Sequence, residues 1–255
     1  MSDLIVVDQA YRVKLWERLR TFERRALLGA LAESHAYAPP AADGAPQDDI
    51  AQTIHDIALH LESLEDWETC KSLYRRVLGY AVSRTVIHAD ARFRLAVCEE
   101  RQGRYEAAIA AFRDAIAREG GAPSVLGAHS RIRLARLLMD AEQFAEAMAA
   151  LEEVIPLLPV DQLVQHELWL EIGRCALRLG RAGEAIKALT PAVEALRDTE
   201  GEVKALRLLA EACERSGETT RAADCYRRII ASGFSEPLTK AAATMRLEKL
   251  PGRRR

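Results

Sequence analysis

Phe93-Arg94-Leu95-Ala96-Val97-Cys98-Glu99-Glu100-Arg101-Gln102-Gly103-Arg104-Tyr105-Glu106-Ala107-Ala108-Ile109-Ala110-Ala111-Phe112-Arg113-Asp114-Ala115 carries the pattern that decides the architecture. Phe93, Ala96 and Val97 recur at three- and four-residue intervals, which lines them along one side of a helix. Gln102-Gly103 ends that run, glycine being the usual residue just past a helix C-terminus. A second run follows, with Tyr105, Ala108, Ile109, Phe112, Ala115 and Ile116 again at helical spacing. The stretch is a helical hairpin.

Working outward, the same hairpin returns five times. The small residue of the first run recurs as Ala58, Ala96, Ala135, Gly173 and Ala210, at spacings of 38, 39, 38 and 37. Twelve residues after each stands another small side chain: Cys70, Ala108, Ala147, Ala185 and Ala222. Tyr74, Phe112, Leu151, Leu189 and Tyr226 follow four residues later, and Val77, Ala115, Val154, Ala192 and Ile229 three after that. A fixed period of this size means a stacked array, because one hairpin alone leaves an apolar side in water. Gly180 and Gly217 break copies four and five as Gly103 breaks copy two. Copies one and three use Leu64-Glu65-Asp66 and Ala141-Glu142-Gln143 at that turn.

Ala108-x3-Phe112, its variant Ala222-x3-Tyr226, and Trp169-Leu170-Glu171-Ile172-Gly173 together resemble the tetratricopeptide repeat pattern W-x2-L-G-x2-Y, A-x3-F, P. Ala176 replaces that pattern's aromatic, and Pro159 alone supplies its proline. The resemblance spans roughly residues 48–234. It implies an all-α fold: a right-handed α-solenoid of stacked helical hairpins with flanking helices at both ends. The family period is about 34 residues, so each copy here carries a surplus of about one helical turn. Candidate helix starts at Ser124 and Asp161 assign that turn to the first helix of a pair. A HEAT-like array of helical pairs is the alternative.

Three segments follow. Residues 1–47 hold an amphipathic helix over 8–34, with Tyr11, Leu15, Leu19, Phe22 and Ala26 on one side and a basic face on the other. The Pro-, Ala- and Gly-rich stretch from Tyr37 to Pro46 reads as a linker. Residues 48–234 are the five hairpins, and 235–255 a capping helix and basic tail. In the last segment Ser235 is the expected N-cap, and Leu238, Ala241 and Met245 form a short apolar stripe. The alternatives for the N-terminal helix are packing on the first repeat, occupying the groove, binding a partner, or self-association with a second copy through residues 8–34.

Composition narrows the function classes. A net charge of −2 and few aromatics give no general attraction to nucleic acid, leaving a regulatory nucleic-acid-binding repeat as the alternative reading. No run approaches the ~20 apolar residues of a membrane span. Asp3, Asp8, Arg12 and Lys14 interrupt the N-terminal apolar residues where a signal peptide would need continuity. The five cysteines form no C-x-x-C pair and read as reduced core thiols, so a cytoplasmic protein is expected. Neither a P-loop nor G-x-G-x-x-G, H-E-x-x-H or G-x-S-x-G occurs, so neither a catalytic set nor a cofactor is expected. His55 and His60, five apart, stand on different sides of a helix and make no metal pair.

Chemistry is therefore expected in a groove. The resemblance implies that the first helix of each pair lines a concave side where partner segments lie. Projected onto it are Leu59, Phe93, Val97, Ile132 and Leu170, beside Arg94, Arg133, Arg136, Arg174 and Arg207. Asp56, Glu171 and Glu211 are the acids among them, so the middle of the array is basic. Such a surface suits a peptide or helix with apolar anchors and acidic flanks. The carboxylate clamp of some relatives needs Lys and Asn where this chain has His55, Leu59, Arg94, His129 and Arg133. The expected role is a non-enzymatic scaffold or adaptor.

Overall fold

The computed structural model of the chain describes residues 45–80, 85–119, 124–157 and 163–251. Among them are eleven α-helices and one 3-10 turn, with no strand. The chain divides into two compact units, Met1–Ala122 and Pro123–Arg255. The first holds α1 (Ala45–Glu62), α2 (Trp67–Val77), α3 (Thr85–Arg101) and α4 (Tyr105–Ala117). The second holds α5 (Val125–Asp140), α6 (Phe144–Val154), α7 (Leu163–Arg178), α8 (Ala182–Ala195), α9 (Glu200–Ser216), α10 (Thr219–Ala231) and α11 (Pro237–Lys249). Pairs α1–α2 through α9–α10 are the five hairpins read from the sequence.

The recurring positions lie in the core. All are buried except Ala115, which is half-buried. Small residues in both helices of a hairpin let the backbones approach closely. At Gly173 there is no room even for a methyl group: a Cβ there would lie 2.4 Å from Leu189 Cγ. The first helix of each pair has 16 to 18 residues and the second 11 to 14, so the first is the longer of the two in every pair. Ser124 caps α5 as expected, its Oγ accepting from the Gly127 N–H at 2.9 Å.

One device closes all five turns. Each first helix ends on a left-handed residue: Glu65, Gly103, Glu142, Gly180 and Gly217, with φ between 58° and 81°. The N–H after it donates back to the carbonyl five residues earlier, as from Asp66 to Leu61 and from Glu218 to Cys213. This satisfies carbonyls that a helix end otherwise orphans. A side chain in that conformation costs roughly 1–2 kcal/mol, against about 0.5–1 kcal/mol for glycine's greater unfolded freedom. Glu65→Gly should therefore raise stability by about 0.5–1 kcal/mol in urea titration. A fall would mean that Glu65 serves the turn through its side chain.

The ends depart from expectation. The helix expected over 8–34, the helix start at Asp161 and the tail Arg253–Arg255 lie outside the described residues. Helix α1 begins at Ala45 and takes in Pro46, assigned above to the linker; in a first turn its missing N–H costs nothing. At the other end Glu236, not Ser235, holds the N-cap backbone position, and the Ser235 hydroxyl is buried without a hydrogen-bond partner. The stripe Leu238, Ala241 and Met245 faces water, with Leu238 82% exposed. The buried side is Ala243 and Leu247, continued by Leu250 just past the helix. Three apolar residues per side made the two faces equal in sequence, and α10 receives the second.

Candidate functional site

The residues projected onto the first helices separate by unit. In the first, Phe93 and Val97 are buried, at 9% and 7% exposure, and offer a partner no apolar surface. Phe93 turns instead to Phe112, ring centres 6.1 Å apart. Their positions, three before and one after the marker Ala96, share the side of α3 that carries the hairpin contact. Leu59 is half-buried.

Arg94 is also engaged. Its Nη1 donates to Glu62 Oε2 at 3.0 Å and its Nε to Asp90 Oδ2 at 3.4 Å. Tyr74 Oη donates to the other Glu62 oxygen at 2.6 Å, and His55 Nε2 lies 2.6 Å from Asp90. Burial pushes the Asp90 carboxyl up, but the His55 hydrogen bond and the Arg94 charge outweigh it and hold the group below its ordinary range. These five side chains tie α1, α2 and α3 together.

The second unit keeps more of its expected surface. Ile132 and Arg133 on α5 and Leu170 on α7 are half-buried, while Arg136, Arg174 and Arg207 are exposed. Arg174 pairs with Glu171 at 3.1 Å. Among the described residues neither Arg136 nor Arg207 has an ion-pair partner. Other arginines here join copies to one another. Arg215 Nη1 donates to the Leu177 carbonyl at 2.7 Å, and Arg178 meets Glu142 at 3.2 Å while lying 4.4 Å from the Phe144 ring centre. Much of the positive charge is thus structural.

One arrangement escaped the sequence reading because its members are polar. Tyr226 Oη donates to Glu214 Oε1 at 2.9 Å, and Arg246 Nη1 to Glu214 Oε2 at 3.2 Å. Glu214, Tyr226 and Arg246 stand 152 residues after Glu62, Tyr74 and Arg94, the offset from Ala58 to Ala210. The same clasp closes the first and fifth hairpins onto the following helix. Helix α11 therefore occupies the place of a sixth first helix. Between α9 and α11, floored by Tyr226 and Ile229, lies a cleft of about 420 Å³ whose walls include Arg207, Leu238, Ala242 and Arg246.

A buried ion pair was missed for the same reason. Lys71, 1% exposed, donates to Glu99 at 3.3 Å and to Glu68 at 3.1 Å. The five cysteines are buried and unpaired. Burial pushes the Cys175 and Cys225 thiols up to about 11, so both stay protonated at neutral pH. Among the described residues no cluster of three or more His, Cys, Asp or Glu could hold a metal, and no helix is long and apolar enough to cross a membrane.

Comparison with known proteins agrees with this geometry. A tetratricopeptide repeat profile matches residues 55–123 and 170–236, and a second matches 101–166. A search of curated proteins finds no match. Among solved structures, YrrB, described as a tetratricopeptide protein with an unusual peptide-binding site, aligns at TM-score 0.59 and 17% identity, covering 75% of this chain and 90% of its own. BtubC from P. vanneervenii aligns at TM-score 0.58 and 17% identity over 93% of this chain and 96% of its own. MamA from Desulfovibrio magneticus RS-1 gives 0.54 and 15% over 71% and 93%. At these identities the structures share the fold. With profiles covering most of its length, this chain belongs to the tetratricopeptide repeat family.

Proposed function

We propose that the protein is a non-catalytic, cytoplasmic adaptor that docks a segment of another protein on the inner faces of its first helices. The observation that supports this reading best lies in the second unit. There Ile132 and Leu170 are left only half-buried by the core, beside Arg133, Arg136, Arg174 and Arg207. Apolar anchors flanked by fixed cations suit a helix or extended segment with apolar residues and acidic neighbours. Within the first unit Leu59 and Arg94 are the candidate residues, with Arg94 already committed to Glu62 and Asp90. The peptide-binding site named for YrrB is a property of that protein and lends the reading analogy only.

The test is a double charge reversal, Arg133→Glu with Arg136→Glu, compared with wild type by affinity capture from native lysate and mass spectrometry. Partners of the groove should be lost or weakened about ten-fold or more, with helicity and Tm nearly unchanged. Equal recovery of the same partners by both proteins would refute the groove. Recovery of nucleic acid whose binding falls steeply with salt would replace it with the nucleic-acid reading.

A further inference from the structure

The 152-residue offset that relates the two clasps also reveals where they differ. In the first copy, His55 on α1 and Asp90 on α3 meet at 2.6 Å and close the space between the two first helices. The corresponding positions on α9 and α11 are Arg207 and Ala242. A guanidinium stands where the imidazole does, and a methyl group where the carboxylate does. The place of the bridge is the cleft between α9 and α11.

The charges around that cleft are otherwise satisfied. Glu214 accepts from both Tyr226 and Arg246, and Glu211 pairs with Arg215 at 2.6 Å. Arg207, exposed on the wall, has no ion-pair partner among the described residues. Leu238 stands at the opposite wall, 82% exposed, with Ala242 one turn further along. A cleft lined by the Arg207 guanidinium on α9 and by Leu238 and Ala242 on α11 is complementary to one kind of occupant, a carboxylate with a large apolar neighbour.

We propose that this cleft receives an acidic side chain of the docked partner against Arg207, with the partner's adjacent apolar side chain against Leu238 and Ala242. The incoming carboxylate plays the part that Asp90 plays in the first copy. The assignment rests on the groove reading above and gives its C-terminal end a chemical preference. The guanidinium is exposed, so the contact sets which segment binds more than how tightly, and it weakens with salt.

Two fluorescein-labelled peptides, identical except for Asp-Leu-Leu against Asn-Leu-Leu at their centre, are titrated into the full chain by fluorescence anisotropy at low salt. The acidic peptide should bind about ten-fold more tightly. Arg207→Gln should erase the difference. Ala242→Asp restores the first copy's carboxylate within the chain. It should compete with the acidic peptide, reducing its binding about as much as Arg207→Gln does, with no loss of helicity. Equal binding of both peptides to wild type, or a preference that survives Arg207→Gln or Ala242→Asp, would overturn the assignment. So would absence of binding by either peptide. The groove reading stands or falls separately, on partner capture by the Arg133→Glu, Arg136→Glu protein.

Discussion

Glu99→Leu alone should destabilise the protein by about 3–5 kcal/mol, whereas Lys71→Ile with Glu99→Leu should match wild type or exceed it by about 1–4 kcal/mol. Lys71 occupies the position held by Ile109, Met148, Ile186 and Ala223 in the other copies, all buried. Glu99 occupies that of Leu61, Leu138, Ala176 and Cys213, also buried. The first unit has thus replaced a pair of apolar contacts by an ion pair at an interface between successive hairpins. Removing the acid leaves a desolvated ammonium whose remaining partner, Glu68, lies on the exposed side, while removing both charges restores the contact used elsewhere. Urea titration of both variants decides. A single substitution costing less than about 1 kcal/mol would mean that the Lys71 ammonium reaches water, and a destabilised double variant that the pair adds net stability.

Phe112→Ala should cost a similar amount, about 3–5 kcal/mol. The ring is fully buried and meets Phe93 in a tilted contact, so truncation removes both burial and an aromatic pair. Phe112→Leu should recover most of the loss, because leucine fills this position in copies three and four as Leu151 and Leu189. Chemical denaturation of the three proteins measures the series. A Phe112→Ala cost below about 1.5 kcal/mol, or no recovery with leucine, would show that the site collapses around the gap and that ring volume is not what the hairpin needs.

Period and apolar spacing made the hairpins readable, since the recurring small and large residues stand where the two helices of each hairpin meet and all but Ala115 are buried. The turns were readable at the glycines and, less directly, at Glu65 and Glu142, whose backbone imitates glycine against side-chain preference. The candidate surface was less legible. Helical projection places Phe93 and Arg94 side by side near a groove, but neighbours on a wheel differ by about 100° and only packing decides which of them is covered. Phe93 went inward and Arg94 to Glu62 and Asp90. Arginines that join copies, such as Arg178 and Arg215, look in sequence like arginines awaiting a partner. The unanswered Arg207 became visible only when its copy was set beside His55 and Asp90.

Helix α11 keeps the fastening of a first helix, since Arg246 grips Glu214 as Arg94 grips Glu62. The joint that fastens α11 is therefore of the same kind as the one that fastens α3. A protein built this way can be lengthened by splicing one more hairpin ahead of its last helix, because both halves of the joint are already present. Array length then becomes a quantity that duplication adjusts without inventing a new seam.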